Sequence, residues 1–430
     1  MSISQLFFVN QPERKSRITV LIKLALFFNL FYSVYIFRGA IDIYLGYFFI
    51  LALLPFFVYK FGIPTKVAIV FVVLFLVGSF YSFIDLNVFG VFFKVFMGVL
   101  TSYLFFYYLV NSFDYSSLDY FKFYLEFGFY SVLFGFFQLV AYLLGFENGK
   151  GLPWLFGLIN SPTGGSFGIR INSFLGEPTH FMIFLSGVYF VAIHDLLFWQ
   201  KPYFFGKTAA LIVLISLYSS FSGMLLISTL LAFVAIGLYY GISRLILIII
   251  PISFFSLTQL INSSKEFEGR FSGTQNIFFD APQSEIDVFS YHGSSIVLYN
   301  NFHIAVENFK RNPIFGTGLG SHSVAFDKYS LTKNAEVEGF DLNKKDANSM
   351  FNRLLSETGL FGLLLVSFII IRFFPSYKWN KQTWLISTSC LLIILLNLSR
   401  QGHYFLNGFP FYFWLYILAF KERNLLENEN

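Results

Sequence analysis

Acidic, imidazole and guanidinium side chains that could do chemistry fall in four short stretches of this chain. In the first, 164–180, glycines run through Arg170 to Glu177-Pro178, where an apolar run begins. Proline favours the first position of a helix, and a helix start offers free N–H groups and a positive dipole to an anion such as a phosphate. Arg170 would add a bidentate fork. Glu177, kept ionised by the dipole, would act as a base or orient Arg170; a helix cap with a structural ion pair is the alternative. The second stretch is Gly269-Arg270, the third is NPIFGTGLGSHS at 312–323, and the fourth joins 346–357 to Arg400-Gln401-Gly402-His403. The glycines of the third invite a dinucleotide reading, but the strand, helix and later acidic residue that such a site needs are missing. They fit a tight backbone turn that can approach a ligand closely, with His322 as a candidate base. In the fourth, Asp346, Arg353, Glu357, Arg400 and His403 would lie near lipid headgroups on one side.

The elements that must position these groups are membrane helices. The 430 residues are 56% hydrophobic and 12% charged, with mean hydropathy +0.66, against about a quarter charged in soluble domains. Nearly uncharged runs long enough to cross a bilayer recur at 18–37, 41–59, 63–84, 88–110, 120–145, 178–198, 208–221, 223–241, 245–261, 354–374, 383–398 and 404–420. That gives an all-α polytopic membrane protein of about twelve transmembrane helices. The pair 208–221 and 223–241 meets at Ser219-Ser220-Phe221-Ser222-Gly223, which reads as a turn or a kink. The chain divides into spans one to nine (1–261), one large polar segment (262–353) and spans ten to twelve (354–430). A loop of this size has a function more often than not, and we read it as a lid and part of the working surface.

Lys60, Lys66, Lys201, Lys207, Arg244, Lys378, Lys381, Lys421 and Arg423 fall in alternate short loops, which predicts cytoplasmic termini and an exterior 262–353. Arg400 stands against that trend, in a short exterior loop. Charges within spans are few: Lys23, Lys94 and Glu126 lie near predicted ends, where side chains snorkel. A transporter needs ionisable groups near the midplane, and neither these nor an internal repeat is visible. Cys390 is the one cysteine, which leaves no disulfide framework and no thiol metal site.

In order, Arg170…Gly176-Glu177-Pro178, Gly269-Arg270, 312–318 and the LLSETGLFG of 354–362 resemble the O-antigen polymerase and ligase superfamily of bacterial envelope enzymes. The exterior segment after the ninth span fits as well. Ligase-like members carry a His-Asn pair before the last motif, where this chain has Ala347-Asn348. The Ser-Arg pair of the middle helices is also missing, with Ser222-Gly223 in its place. Both departures favour a Wzy-type polymerase over a ligase.

The resemblance implies a GT-C-like fold in a bacterial inner membrane, with the active site facing the periplasm. It implies glycosyl transfer from a glycan chain on undecaprenyl pyrophosphate to the distal hydroxyl of the next lipid-linked repeat unit. Lipid A–core is the acceptor if the chain is a ligase, and a lipid-linked oligosaccharide flippase is the reading from another class. The bilayer and a chain-length regulator are the further partners expected; nucleic acid is not one. No cofactor and no metal is expected, because arginine forks can stabilise a leaving diphosphate and no Asp-x-Asp pair is present. Arg170, Arg270, Arg353 and Arg400 are the expected diphosphate ligands, the first, second and fourth sharing one cavity. Glu177, His322, Asp346 and His403 are the candidates for base.

Overall fold

A computed structural model describes residues 18–33, 35–37, 43–145, 163–165, 168–241, 265–279, 286–287, 289, 291–332 and 341–428. Helices dominate: α1 (Val20–Leu30), α2 (Leu45–Phe61), α3 (Thr65–Phe83), α4 (Phe89–Asn111), α5 (Ser117–Leu143), α6 (Pro178–Phe184), α7 (Ser186–Leu197), α8 (Lys207–Tyr218) and α9 (Met224–Tyr240). Then come α10 (Lys265–Phe279), α11 (Gly293–Arg311), α12 (His322–Tyr329), α13 (Met350–Arg372), α14 (Lys381–Arg400), a 3₁₀ turn at Leu406–Gly408 and α15 (Phe409–Asn428). Two short antiparallel hairpins, Tyr35–Phe37 with Ile43–Tyr44 and Thr163–Gly165 with Gly168–Arg170, complete the described elements.

Five of these helices, α3, α4, α5, α13 and α14, are long and apolar enough to cross a membrane, and the bent pair α6–α7 makes a sixth. Four shorter apolar helices, α1, α2, α8 and α9, accompany them. The protein is thus supported as a multi-pass membrane protein. The expected span 245–261 and the 261/262 boundary lie outside the described residues. Burial sorts the helices. Only 6% of the α3 window is buried within the protein, against 78% for α14, so α3 turns its Val, Leu and Phe side chains outward while α14 is the central post. The main core mixes Leu, Ile, Val and Ala with many buried Phe and Tyr, including Phe105, Phe121, Tyr124, Tyr412 and Tyr416.

Local sequence sets the helix starts. Ser116 and Asp119 form a reciprocal capping box at α5. Asn380 accepts from Thr383 N at α14, and Ser349 from Asn352 N at α13. Pro178 stands in the first turn of α6.

Three expectations change. The first span is helical only over Val20–Leu30 before the chain turns to a strand at Tyr35–Phe37. The run 178–198 is two helices bent by 59° at Leu185. The described part of the polar segment is folded: α10, α11 and α12 enclose their own small core of Ile277, Ile286, Ile296, Ile304, Phe326 and Leu342. Polar composition hid this core because its apolar residues are few and widely spaced. Of the two readings of the Ser219–Gly223 hinge, the structure adopts the turn, which separates α8 from α9.

A buried polar group anchors the chain after α7. His194 Nδ1 lies 2.8 Å from Asp195 Oδ1, and the Asp195 carboxylate accepts three backbone N–H groups, from Tyr203, Phe204 and Phe205. These bonds hold the 199–206 loop in place.

Candidate active site

The NPIFGTG and LLSETGLFG motifs bind each other. Helix α13 is interrupted at Gly359, whose φ of 60° and ψ of −150° are non-helical. The backbone groups freed by the break are taken up by the 312–318 turn: Leu360 N donates to Pro313 O (2.8 Å), Phe361 N to Ile314 O (2.9 Å), and Gly318 N to Glu357 O (2.8 Å). A Cβ at Gly316 would lie 2.4 Å from the Glu357 carbonyl carbon, and one at Gly359 2.7 Å from Gly316 N. Both glycines also have positive φ. Their freedom therefore serves a contact between two backbones, where the sequence suggested one between backbone and ligand. Asn308 ties the junction from α11, donating to Ser356 O and Thr317 Oγ1, each at 2.9 Å.

The protein also holds a cavity of about 650 Å3, lined by none of the clamp residues. Its walls come from Ser33 and Tyr44, from Glu177, Thr179 and His180 at the start of α6, and from the first turn of α11. The 341–348 turn and the end of α14, from Arg400 to His403, complete it. The polar segment thus forms part of the wall.

Asp346 and His403 meet in the cavity lining, with His403 Nε2 3.1 Å from Asp346 Oδ2. The other carboxylate oxygen accepts from Asn343 Nδ2 and Asn348 N, both at 3.0 Å. Burial pushes the Asp346 carboxyl up, but the His403 ring and the two N–H donors outweigh it and hold the group well below the usual carboxylate range. Asp346 is therefore an anion, and a neutral His403 held by it would donate from Nε2 and keep its lone pair on Nδ1. The turn carrying Asp346 is strained: Ala347 and Asn348 both have positive φ, 58° and 57°. Ala347 is fully buried, so a larger side chain there would have to displace its neighbours.

His180, three residues after Glu177, lines the same cavity, with Nε2 against Gln401 Nε2. Arg400, the last residue of α14, brings a guanidinium to the wall. Glu177 is exposed at the mouth, at the N-cap of α6.

Of the expected site residues, the cavity brings together Glu177, Asp346, Arg400 and His403. The others stand elsewhere. Arg170 does not line the cavity; its Nε donates to Ser220 O at 3.3 Å, tying the 168–170 strand to the 219–220 turn. Arg270 lies in α10, and its side chain is outside the described residues. The shared cavity expected for Arg170, Arg270 and Arg400 is thus not formed by Arg170.

Arg353 is inside the protein, where the sequence placed it at the headgroups. It is 5% exposed, pairs with Glu357 through Nε and Oε1 (2.9 Å), donates from Nη1 to Gly402 O (2.9 Å) and lies over the Tyr404 ring at 4.5 Å. The remaining Glu357 oxygen accepts from Tyr404 OH at 2.9 Å.

His322 is fully buried in α12, off the cavity, with Nε2 on Asn301 Oδ1 at 2.9 Å. Burial, helped by the charge of Arg353, pushes its pKa down to about 3. A histidine sealed from solvent cannot exchange a proton with substrate, so it is a structural donor here.

The sequence assigns no role to His180, Gln401 or Tyr404. His180 falls inside the first stretch, at the third position of a helix beginning at Pro178, and that spacing is a usable signal; the other two have none.

A family model described as O-antigen ligase matches residues 208–367. The comparison with curated proteins gives no match. The matched segment runs from α8 into α13 and contains both clamped motifs and Asp346, whereas Glu177, His180, Arg400 and His403 lie outside it. The match supports the O-antigen polymerase and ligase superfamily, with a glycosyl-transferring function in polysaccharide biosynthesis, and does not separate polymerase from ligase.

Proposed function

We propose that this protein is a membrane glycosyl polymerase working at the periplasmic face of a bacterial inner membrane. It transfers a growing glycan from undecaprenyl pyrophosphate to the next lipid-linked repeat unit. The observation that carries the reading is the Asp346–His403 pair, 3.1 Å apart in a cavity that also holds Arg400.

The acceptor hydroxyl oxygen attacks the anomeric carbon of the donor, and the bond from that carbon to the diphosphate oxygen breaks. His403 Nδ1 takes the hydroxyl proton while Asp346 steadies the imidazolium. The bonding pair leaves on the diphosphate, whose developing charge Arg400 faces. Arg400 and His180 stabilise and orient without a metal. Ala347 stands where ligase-like members carry a histidine, so the base comes from the neighbouring chain after α14. The Asp346 carboxylate that steadies it stands just before two residues of positive φ, Ala347 and Asn348.

The α6 start, the 341–348 turn and the first turn of α11 wall the acceptor from water, which would otherwise hydrolyse the donor. The ligase reading keeps the same chemistry with lipid A–core as acceptor. Removing the gene separates the two: loss of a polymerase leaves core capped by one repeat, and loss of a ligase leaves long glycan on the polyprenyl carrier. The polymerase reading expects the first pattern, and long carrier-linked glycan would overturn it.

A further inference from the structure

Glu357, Arg353 and Tyr404 do not line the cavity, yet their polar contacts converge on the two residues flanking His403. Arg353 Nη1 holds the carbonyl of Gly402 on one side (2.9 Å). On the other side, Tyr404 OH donates to Glu357 Oε2 at 2.9 Å, and its ring lies under the Arg353 guanidinium. Glu357 and Arg353 are themselves joined at 2.9 Å as an i,i+4 pair on α13. Glu357 is also pinned from behind, since its backbone oxygen accepts from Gly318 N in the clamped turn.

The chain 402–404 has no regular structure of its own. Between the end of α14 and the 3₁₀ turn, nothing in its backbone hydrogen-bond pattern would fix His403. A buried ion pair adds little net stability for its desolvation cost, and removing one partner exposes the other to that cost. Such a pair is better suited to fixing geometry, and the geometry it fixes here is the base.

We propose that Arg353, Glu357 and Tyr404 are positioning residues that lock His403 onto Asp346, so that the clamp of the two glycine motifs sets the orientation of the base. The inference rests on the reading of His403 as the base. It accounts for a charged pair inside the protein one turn from the helix break, and it moves Arg353 from the diphosphate to the frame.

The test uses the full chain in proteoliposomes, with undecaprenyl-diphosphate-linked repeat units extracted from cells that lack this gene as substrate. Tyr404→Phe keeps the ring and removes one hydrogen bond; Arg353→Lys keeps the charge and cannot span both Glu357 and Gly402. Each is expected to lower kcat about tenfold, the scale of one hydrogen bond to a charged group, with the acceptor KM within about twofold. In a His403→Gln background the same substitutions should change the residual rate less than about twofold, because their effect passes through the missing ring. A tenfold loss that persists without His403, a change confined to KM, or no loss at all would overturn the positioning role. Wild-type rate in His403→Gln alone would instead remove the base assignment, which keeps the two failures distinct.

Discussion

Replacing Gly402 by alanine should disable the site without touching any group that does chemistry. A Cβ on Gly402 would lie 1.5 Å from the Asp346 backbone oxygen, and real Cβ contacts essentially never fall below 3.0 Å. The obstacle is a carbonyl, which cannot rotate aside as a side chain would, so the two segments must part by about 1.5 Å, with overpacking of this kind costing about 1–3 kcal/mol of stability. The same separation stretches the His403–Asp346 contact from 3.1 Å beyond hydrogen-bond range and strains the Arg353 bond to Gly402 O. A displacement of about 1 Å at a reacting group costs roughly 10²-fold in rate. Elongation of lipid-linked repeats by Gly402→Ala in proteoliposomes should fall by about that factor, with the protein still monodisperse in detergent. Near-native elongation would refute the argument, because it would mean that the juxtaposition of 402–403 with 346 is dispensable.

Other perturbations separate frame from chemistry. Gly359→Ala combines a positive φ with a Cβ 2.7 Å from Gly316 N and Pro313 O, so thermal unfolding in detergent should show a loss of about 3 kcal/mol or non-accumulation. Asp195→Ala leaves three backbone N–H groups, two of them buried, without their acceptor; abundance should drop, at about 1–3 kcal/mol per buried group, while the rate per folded molecule holds. For His322, depressed to about 3 from 6.5, the stability contribution is full above pH 6.5 and is lost as the pH falls toward 3, because only the unfolded chain takes the proton. Between pH 7.5 and 5.5 the loss is about 1.4 kcal/mol, readable as faster hydrogen exchange in α11 and α12 and flattened in His322→Asn.

What was legible in the sequence was what repeats locally. Long uncharged runs mark α3, α4, α5, α13 and α14, and Pro178 marks the start of α6. The Arg353–Glu357 spacing is also a helical-pair signal, which by itself argues for a partnered arginine. What was hidden depends on long-range pairing. The partner of the 312–318 glycines is a helix break more than forty residues on, and the Arg353 acceptor, Gly402 O, is 49 residues away. Composition made 262–353 look like an open loop because eight apolar residues suffice to close its small core. The breaks at Leu30 and Leu185 carry no proline or glycine at the bend, so hydropathy read straight through them.

The most direct test of the central claim is the rate at which the purified protein, in liposomes, extends lipid-linked repeat units when the Asp346–His403 pair is broken. Asp346→Asn and His403→Gln should each elongate at least about 10²-fold more slowly than the native chain, the scale of general-base catalysis, with substrate still bound. Elongation at the native rate in both variants would contradict the account.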